Sequence, residues 1–552
     1  LNSPALTQLP RTASAHRWRA RLWQLPTLMT AALVLMPITV IFLSWGSDQT
    51  EIWQHLIETQ LGRLLKNTLF LLLGVGIWVM LLGVSLAWLV ALCEFPGRRY
   101  LDWALMLPLA IPTYVVAFVA LGLMTYSGPL HSLIRATFGE DAWFPDIRGP
   151  IGVIAVMTCV LYPYVYMLAR SAFLSQGRNL MDASRLLGVS PWRSFFRVAL
   201  PMARPAIAAG TSLALMETLA DFGAVAVFNY DTFTTAIYKS WFGFFSLTAA
   251  AQLASLLLLF VALALYTEQR ARGDGRLHQN PRRQQSERYQ LRGSRAWLAS
   301  GYCSVVVLVA FLVPVLQLLA WVWETRAQDI NEIYWKLVAH TFSLGGMASL
   351  IAVTLALLVA YHQRLQKRHH NNTTERLATL GYALPGSVLA VGIMLAFASI
   401  DAGVINPVRQ WLGLAPAQIL LGSLFALVLA YVVRFFSVAF GPIQSGFARI
   451  KPSYQEAAQM LGSSHWQVLK RIYVPLLTPG IFTALLLVFV DTMKEMPATL
   501  LLRPFGWDTL AVRIYEMTSE GEWERAALPA LTLVLISIPP VVIMIRRSRA
   551  VS

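Results

Sequence analysis

The sequence predicts an all-α polytopic membrane protein of about twelve transmembrane helices, arranged as two parallel six-helix repeats. Three observations predict it: little charge in an apolar composition, a series of continuous apolar runs of spanning length, and a self-match in which the second half of the chain repeats the first.

Of the 552 residues, 57% are hydrophobic and 13% charged, with a mean hydropathy of +0.57. A soluble domain is roughly a quarter charged. This chain has too little polar surface to solvate a globule of its size, so lipid must cover much of it. A spanning helix needs about 20 mostly apolar residues. Backbone groups in hydrocarbon must pair within their own segment, so helices are expected. The runs are continuous rather than alternating, which argues against an outer-membrane barrel. Spans are expected near 26–46, 68–92, 101–125, 149–171, 205–228, 244–267, 297–322, 341–361, 378–400, 417–440, 478–502 and 527–545. The first run has no A-x-A site before the next element, so it reads as a span and not as a cleavable signal. No long soluble segment remains for a catalytic domain. The pattern G-x-x-x-x-G-K-[ST] does not occur, so this chain has no P-loop to cradle a nucleotide.

The formal charge of +16 sets an orientation. With a cytoplasmic N-terminus and twelve spans, roughly 32 of the 44 Lys and Arg fall on the cytoplasmic side, about 11 fall outside, and Lys494 lies within a span. Both termini are then cytoplasmic. The densest basic stretch, 268–296, has no regularly spaced stacking aromatics, so it reads as a topology-setting linker and not as a nucleic-acid site. Cys93, Cys159 and Cys303 are odd in number and far apart, so they read as packing residues. His369 and His370 sit among Lys367, Arg368 and Arg376 on a cytoplasmic loop, and their adjacency reads as chance.

The repeat decides the architecture. At one constant shift, Ser171 aligns with Ser445, Ala183 with Ala457, Gly188 with Gly462, Trp192 with Trp466, Pro201 with Pro475 and Pro205 with Pro479. Earlier in each half the register slips by a single position, and Thr68 aligns with Thr341 and Pro112 with Pro385. Six spans separate equivalent points, so both copies enter the membrane in the same direction. A pseudo-two-fold along the membrane normal is expected, with a path at the repeat interface. The expected division is 1–60 (N-terminal cytoplasmic segment, first span and start of an external loop), 61–267 (first repeat domain), 268–296 (basic cytoplasmic linker), 297–335 (peripheral span), 336–545 (second repeat domain) and 546–552 (cytoplasmic tail).

One aligned segment is too polar to span. It runs from Leu180 to Pro201 in the first half and from Tyr454 to Pro475 in the second. Each reads as a helix–turn–helix on the cytoplasmic face. Asp182 with Ala183, and Glu456 with Ala457, start short helices, where an acid suits the positive N-terminal end. Gly188 and Gly462 end them in the left-handed conformation that glycine tolerates. Ser190-Pro191 restarts a helix, and Ser464 is placed to cap in the second copy. Leu186 and Leu187, like Met460 and Leu461, give an apolar face for the bundle or for a partner's groove.

Acidic–Ala–Ala, then Gly, then Pro after about a dozen residues resembles the EAA loop of binding-protein-dependent ABC importer permeases. The second copy is intact at Glu456, Ala457, Ala458, Gly462 and Pro475. The first departs slightly at Asp182, Ala183 and Ser184, followed by Gly188 and Pro201. The resemblance implies a type I ABC importer permease fold. It implies an ATPase subunit dimer docked on these loops from the cytoplasm, ATP held by that partner, and no cofactor in this chain. It also implies a periplasmic solute-binding protein and a bacterial inner-membrane location. The segments Glu217-Thr-Leu-Ala-Asp-Phe-Gly, Asp231-Thr-Phe-Thr-Thr-Ala-Ile-Tyr, Asp491-Thr-Met-Lys-Glu-Met-Pro and Trp507-Asp-Thr-Leu-Ala look like those of fused ferric-iron permeases. Similar fused permeases serve thiamine and other small solutes, so that alternative stays open.

Glu217 and Asp221 lie four apart on one expected helix face, and the repeat sets Asp491 and Glu495 at the equivalent positions. Each follows the loop proline by about 16–20 residues, or about 24–30 Å of helix. Intramembrane acids are costly and should face the bundle interior. Two readings stand: a transient path for a hard trivalent cation, which prefers oxygen ligands, or structural pairing with Lys494 and capping of helices broken near Gly223 and Pro497. A permanent metal site is not expected, because tight binding would stop release. Two rival classes are an ion-coupled secondary transporter, against which the duplicated loop argues, and a non-transporting membrane scaffold.

Overall fold

The computed structural model describes residues 23–140, 143–175, 191–272, 288–365 and 373–551. Among them, eleven helical segments are long and apolar enough to cross a membrane: Leu25–Gly46, Thr50–Leu92, Thr113–Phe138, Pro150–Leu174, Phe195–Ala220, Leu247–Thr267, Ser294–Arg326, Glu332–Leu365, Gly386–Trp411, Leu424–Arg449 and His465–Lys494. The twelfth expected span is the shorter apolar stretch Ala527–Ile543 of helix Ala527–Val551.

In chain order, the elements that build the sites are α1 (Gly62–Leu92), α2 (Arg98–Ala104), α3 (Thr113–Met124), α4 (Pro150–Ser175), α5 (Leu200–Ala220), α6 (Gly223–Val227) and α7 (Phe233–Phe242). They continue with α8 (Glu332–Leu365), α9 (Gly386–Ile400), α10 (Ser453–Met460), α11 (His465–Val468), α12 (Val474–Lys494), α13 (Pro497–Leu502) and α14 (Leu510–Ser519).

Several expected spans are interrupted, and the reasons are local. The span expected at 101–125 stops at a 3-10 turn, Leu107–Ala110, and restarts after Pro112 as α3. Proline disfavours helix at the residue before it, and Ile111 is extended, with φ −98° and ψ 125°. The second half repeats this at the aligned positions, with a 3-10 turn at Leu380–Ala383 and a restart after Pro385 as α9. The spans expected at 205–228 and 478–502 both break after 21-residue helices, α5 and α12, and resume as the short α6 and α13.

The chain packs as two compact units. The smaller comprises Leu1–Thr39, Ser343–Ala383 and Val428–Thr492. The larger comprises Val40–Phe342, Leu384–Leu427 and Met493–Ser552. Within the larger unit, α1, α4 and α5 pack on one another. Gly210 of α5 lies against the α4 backbone: a Cβ there would sit 2.7 Å from Val165 Cα and 2.9 Å from the Tyr164 carbonyl oxygen. Without a hydrophobic drive between helices in lipid, such close backbone approach supplies the packing. A buried ion pair fixes α2 to α4. Arg170 Nε and Nη2 donate to the two Asp102 oxygens at 2.5 and 2.8 Å, and the Tyr166 hydroxyl donates to the Asp102 carbonyl at 2.9 Å. Paired this way, both charges keep hydrogen-bonded partners out of water.

The basic linker is structured at its C-terminal end. Tyr289–Gln290 (β2) pairs in parallel with Cys93–Glu94 (β1); Glu94 forms an ion pair with Arg98 at 3.1 Å and accepts a hydrogen bond from Arg288 at 3.3 Å. Cys93 and Cys303 are buried thiols and Cys159 is half-buried. All three are free.

We predict that Gly210→Leu lowers the yield of monodisperse protein several-fold, because its side chain meets backbone rather than a movable side chain; overpacking costs about 1–3 kcal/mol or more. Gly301→Leu, where nothing lies within 4 Å of the added Cβ, should behave as wild type. Fluorescence-detected size exclusion in detergent checks both.

Candidate functional site

The second polar loop belongs to the smaller unit. Helix α10 begins at Ser453, ahead of the start expected at Glu456. Pro452, at φ −58°, sets the first turn. Glu456 therefore sits inside that turn, still facing the positive helix end. The helix closes in a Schellman pair. Gly462 N–H donates to the Gln459 carbonyl and Ser463 N–H to the Ala458 carbonyl, both at 3.0 Å. Gly462 has φ +81°, the left-handed conformation expected of it. Ser464 caps α11 as expected: its hydroxyl accepts from Gln467 N–H at 3.3 Å, and the Gln467 side chain accepts from Ser464 N–H at 2.8 Å. A π turn, Leu469–Tyr473, then leads into α12, where Pro475 is in the first turn. Proline has no N–H to give and its ring crowds the carbonyl four residues back, so a wider turn forms before it.

Three side chains fasten this loop to its unit. The Tyr473 hydroxyl donates to Gln455 Oε1 at 3.0 Å. The Tyr361 hydroxyl, from α8, donates to the His465 carbonyl at 2.9 Å. Arg364 donates to the Ile450 carbonyl. Ala458 is buried, while Glu456 and Ala457 are exposed. Met460 and Leu461 are 89% and 87% exposed, so among the described residues this apolar edge is left uncovered.

The first polar loop, with Asp182, Ala183, Ser184 and Gly188, lies outside the described residues, as do His369 and His370. Its exit is described. A helix restarts at Pro191, a π turn covers Phe195–Ala199, and Pro201 enters α5. This matches the geometry of the second copy, element for element.

Of the four acids singled out in the sequence, Asp221 and Glu495 sit at two helix breaks of the larger unit. Asp221 ends α5 and its Oδ1 accepts from Ala224 N–H of α6 at 2.8 Å. The Thr113 hydroxyl, at the start of α3, donates to Asp221 Oδ2. Glu495 ends α12. Its oxygens accept from Ala498 N–H and Thr499 N–H, both at 3.1 Å, and the Thr499 hydroxyl donates to the Glu495 carbonyl at 2.6 Å with a carboxylate oxygen 3.1 Å away. Glu495 is only 5% exposed. The adjacent Lys494 donates to the Leu109 carbonyl at 3.0 Å, at the end of the first half's 3-10 turn. Both acids are thus helix caps, and Lys494 satisfies a carbonyl freed by the break near Pro112. Glu217 and Asp491 lie one turn earlier on α5 and α12, each half-buried. Among the described residues, no group of three or more His, Cys, Asp or Glu side chains gathers in a way that could hold a metal ion. Thr113, Thr499, Gln455, Tyr361 and Tyr473 escaped the sequence reading. Hydroxyl and amide side chains carry no periodic signal, and their partners are distant in sequence.

Two copies of a loop exit, a proline-entered helix and an acid-capped break define a fused two-domain permease of the ABC importer class. The family model for the binding-protein-dependent transport system inner membrane component matches residues 80–272 and again 352–550, and the chain belongs to that family. It is similar to the Fe(3+)-transport system permease protein FbpB 2 of Haemophilus influenzae, with 26% identity over 533 residues covering 94% of this chain and 98% of the relative. The ferric transport system permease protein FbpB of Actinobacillus pleuropneumoniae is 23% identical over 92% of this chain and 75% of its own length. The molybdate/tungstate transport system permease protein WtpB of Thermococcus kodakarensis is 27% identical over 42% of this chain and 87% of its own length. The chain is therefore a multi-pass inner-membrane permease component, not itself an enzyme. Membership implies an ATPase and a periplasmic binding protein as partners.

If capping dominates at Asp221, Asp221→Asn keeps an oxygen for Ala224 N–H and thermal stability stays near wild type, while Asp221→Ala loses about 1 kcal/mol. Thermal unfolding in detergent measures both. Equal loss of uptake in both variants at unchanged stability would show that the charge itself matters to transport.

Proposed function

We propose that this chain is the translocation subunit of a ferric-iron importer. The observation that carries the substrate is the similarity to an Fe(3+)-transport permease across both halves and nearly the whole of both chains. In this reading both termini and the 268–296 linker are cytoplasmic. The solute arrives from a periplasmic binding protein. The two EAA-type loops, Asp182–Pro201 and Glu456–Pro475, receive a separate ATPase dimer, which holds the ATP.

The exposed edge of α10 supports the docking role, because Met460 and Leu461 offer apolar surface beside the acid Glu456. The hydrogen bonds of Gln455 to Tyr473 and of His465 to Tyr361 tie that edge to the entry of α12 and to α8. A push on α10 would then turn both helices rather than bend the loop. Glu217, Asp221, Asp491 and Glu495 remain candidates for transient contact with a cationic solute. Asp221 and Glu495 do so only at the cost of their caps.

The test is uptake of ferric iron by proteoliposomes containing the permease, its ATPase and its binding protein, with thiamine and molybdate as alternative solutes. ATP-dependent iron uptake without uptake of the others is expected; uptake driven by a proton gradient without the ATPase would overturn the reading. A cysteine at Arg283, which lies outside the described residues, should resist an impermeant thiol reagent in intact cells. Gly462→Val forces a β-branched side chain into the left-handed conformation, at about 1–2 kcal/mol. It should leave the protein in the membrane and uncouple ATP hydrolysis from uptake, whereas unchanged coupled uptake would remove α10 from the docking surface.

A further inference from the structure

Two segments of the chain share a pattern: Asp231-Thr232, ending in Ile237-Tyr238, and Asp508-Thr509, ending in Ile514-Tyr515. Each follows an acid-capped break and forms a ten-residue helix, α7 and α14. Both helices are pinned at their starts. Thr232 forms a capping box with Thr235, and Thr509 accepts from Val512 N–H at 3.4 Å. Asp231 is held by Lys239 at 2.5 Å and Arg63 at 3.1 Å; Asp508 is held by Arg503. Pinning equivalent starts fixes where the equivalent tyrosines emerge, one turn before each helix ends.

The two tyrosines meet. Within the larger unit their ring centroids are 6.4 Å apart at an interplanar angle of 77°. Phe222, from the first break, lies 5.1 Å from Tyr238 and 5.4 Å from Tyr515, and Phe242 lies 4.5 Å from Tyr238. Among these four rings the only oxygens are the two phenols. Both tyrosines are half-buried, so the pair is reachable from one side. Glu516 follows Tyr515, and Arg503 holds it at 2.8 Å with Arg513 at 3.5 Å. Ring packing alone would be served by phenylalanine, which fills two of the four positions.

We propose that Tyr238 and Tyr515 form a transient two-phenolate site that passes Fe(III) through the outer end of the permease. The proposal rests on the ferric-iron reading above. Trivalent iron is hard and takes oxygen ligands. Two hydroxides already bound to Fe(III) each take one phenol proton and leave as water as the two Fe–O bonds to Tyr238 and Tyr515 form, and the iron stays trivalent. Two protein oxygens, with the remaining positions left to water or to an accompanying anion, bind weakly enough for release. Arg503 and Arg513 supply positive charge for such an anion beside the carboxylate of Glu516.

The experiment uses the full-length permease and Fe(III)–nitrilotriacetate as probe. Tyr238→Phe and Tyr515→Phe, singly and together, keep the rings and remove only the oxygens. Wild type should develop a visible phenolate-to-iron(III) charge-transfer band on titration, and the double variant should lose it. Ferric uptake by the reconstituted complex should fall by about tenfold or more in the double variant, since changing even the outer-shell partners of a metal's ligands costs about 10–100-fold. Membrane abundance and ATPase activity should hold. Normal iron uptake with an unchanged band in the double variant overturns this inference and leaves the ferric-iron reading standing. A wild-type complex that imports no iron and shows no band overturns both.

Discussion

Inside hydrocarbon, a helix cannot stop without leaving N–H and C=O groups that water cannot reach. This fold stops helices repeatedly within or at the ends of its apolar segments, after Ala110, Ala220, Ala383 and Lys494. Everything distinctive in the larger unit is an answer to that constraint. Asp221 and Glu495 take the N–H groups of the resumed helices, and Lys494 takes a carbonyl left by the break before α3. A charge at such a position is costly as an isolated group and becomes tolerable where it replaces lost backbone partners. The acids and the lysine are therefore parts of the scaffold before they are candidates for anything else.

The same constraint gives the repeat its mechanical form. Helices α5 and α12 are each 21 residues long, which at 1.5 Å per residue is about 31 Å, close to the hydrocarbon thickness. A π turn and a proline stand at one end of each rod, and an acid-capped break stands at the other. Pro205 and Pro479 each remove one backbone donor near the loop end of the rod; beyond them each rod runs as α-helix to the break, so movement there can be passed on as displacement of a stiff element.

Much of this was legible in the sequence, and the boundary of legibility is physical. Apolar run length and the match between the two halves located the spans and the duplication, because burial in lipid imposes composition on whole segments. Gly462 and Ser464 announced the turn and cap of the second loop, because those conformations are specific to their residue types. The breaks were half legible. Gly223 and Pro497 marked them, and capping stood as one of two readings for the acids. Helix α10 starts at Ser453 and not at Glu456, because Pro452 outweighs the acid as a start signal. What sequence could not supply were contacts between distant segments: Thr113 on Asp221, Tyr473 on Gln455, Lys494 on Leu109, Tyr238 beside Tyr515. Each joins residue types that are ordinary alone, and only the packing makes them partners.

The two breaks also show how a duplicated device survives divergence. In the first half the cap is the shorter Asp221, and its second oxygen is served by Thr113 from the helix after the neighbouring break. In the second half the position aligned with Thr113 is Gly386, which has no hydroxyl. There the acid is Glu495, one methylene longer, and its backbone partners are the N–H groups of Ala498 and Thr499, at the positions that Ala224 and Val225 hold in the first half. Its hydroxyl partner is Thr499 on the resumed helix itself, where the first half has Val225. Moving the hydroxyl from a neighbouring helix to the capped one, and lengthening the acid to match, keeps the backbone donors satisfied while the participating side chains change. Local identity is therefore a poor guide to which positions are equivalent at the breaks. What the two halves hold in common there is the satisfied backbone group.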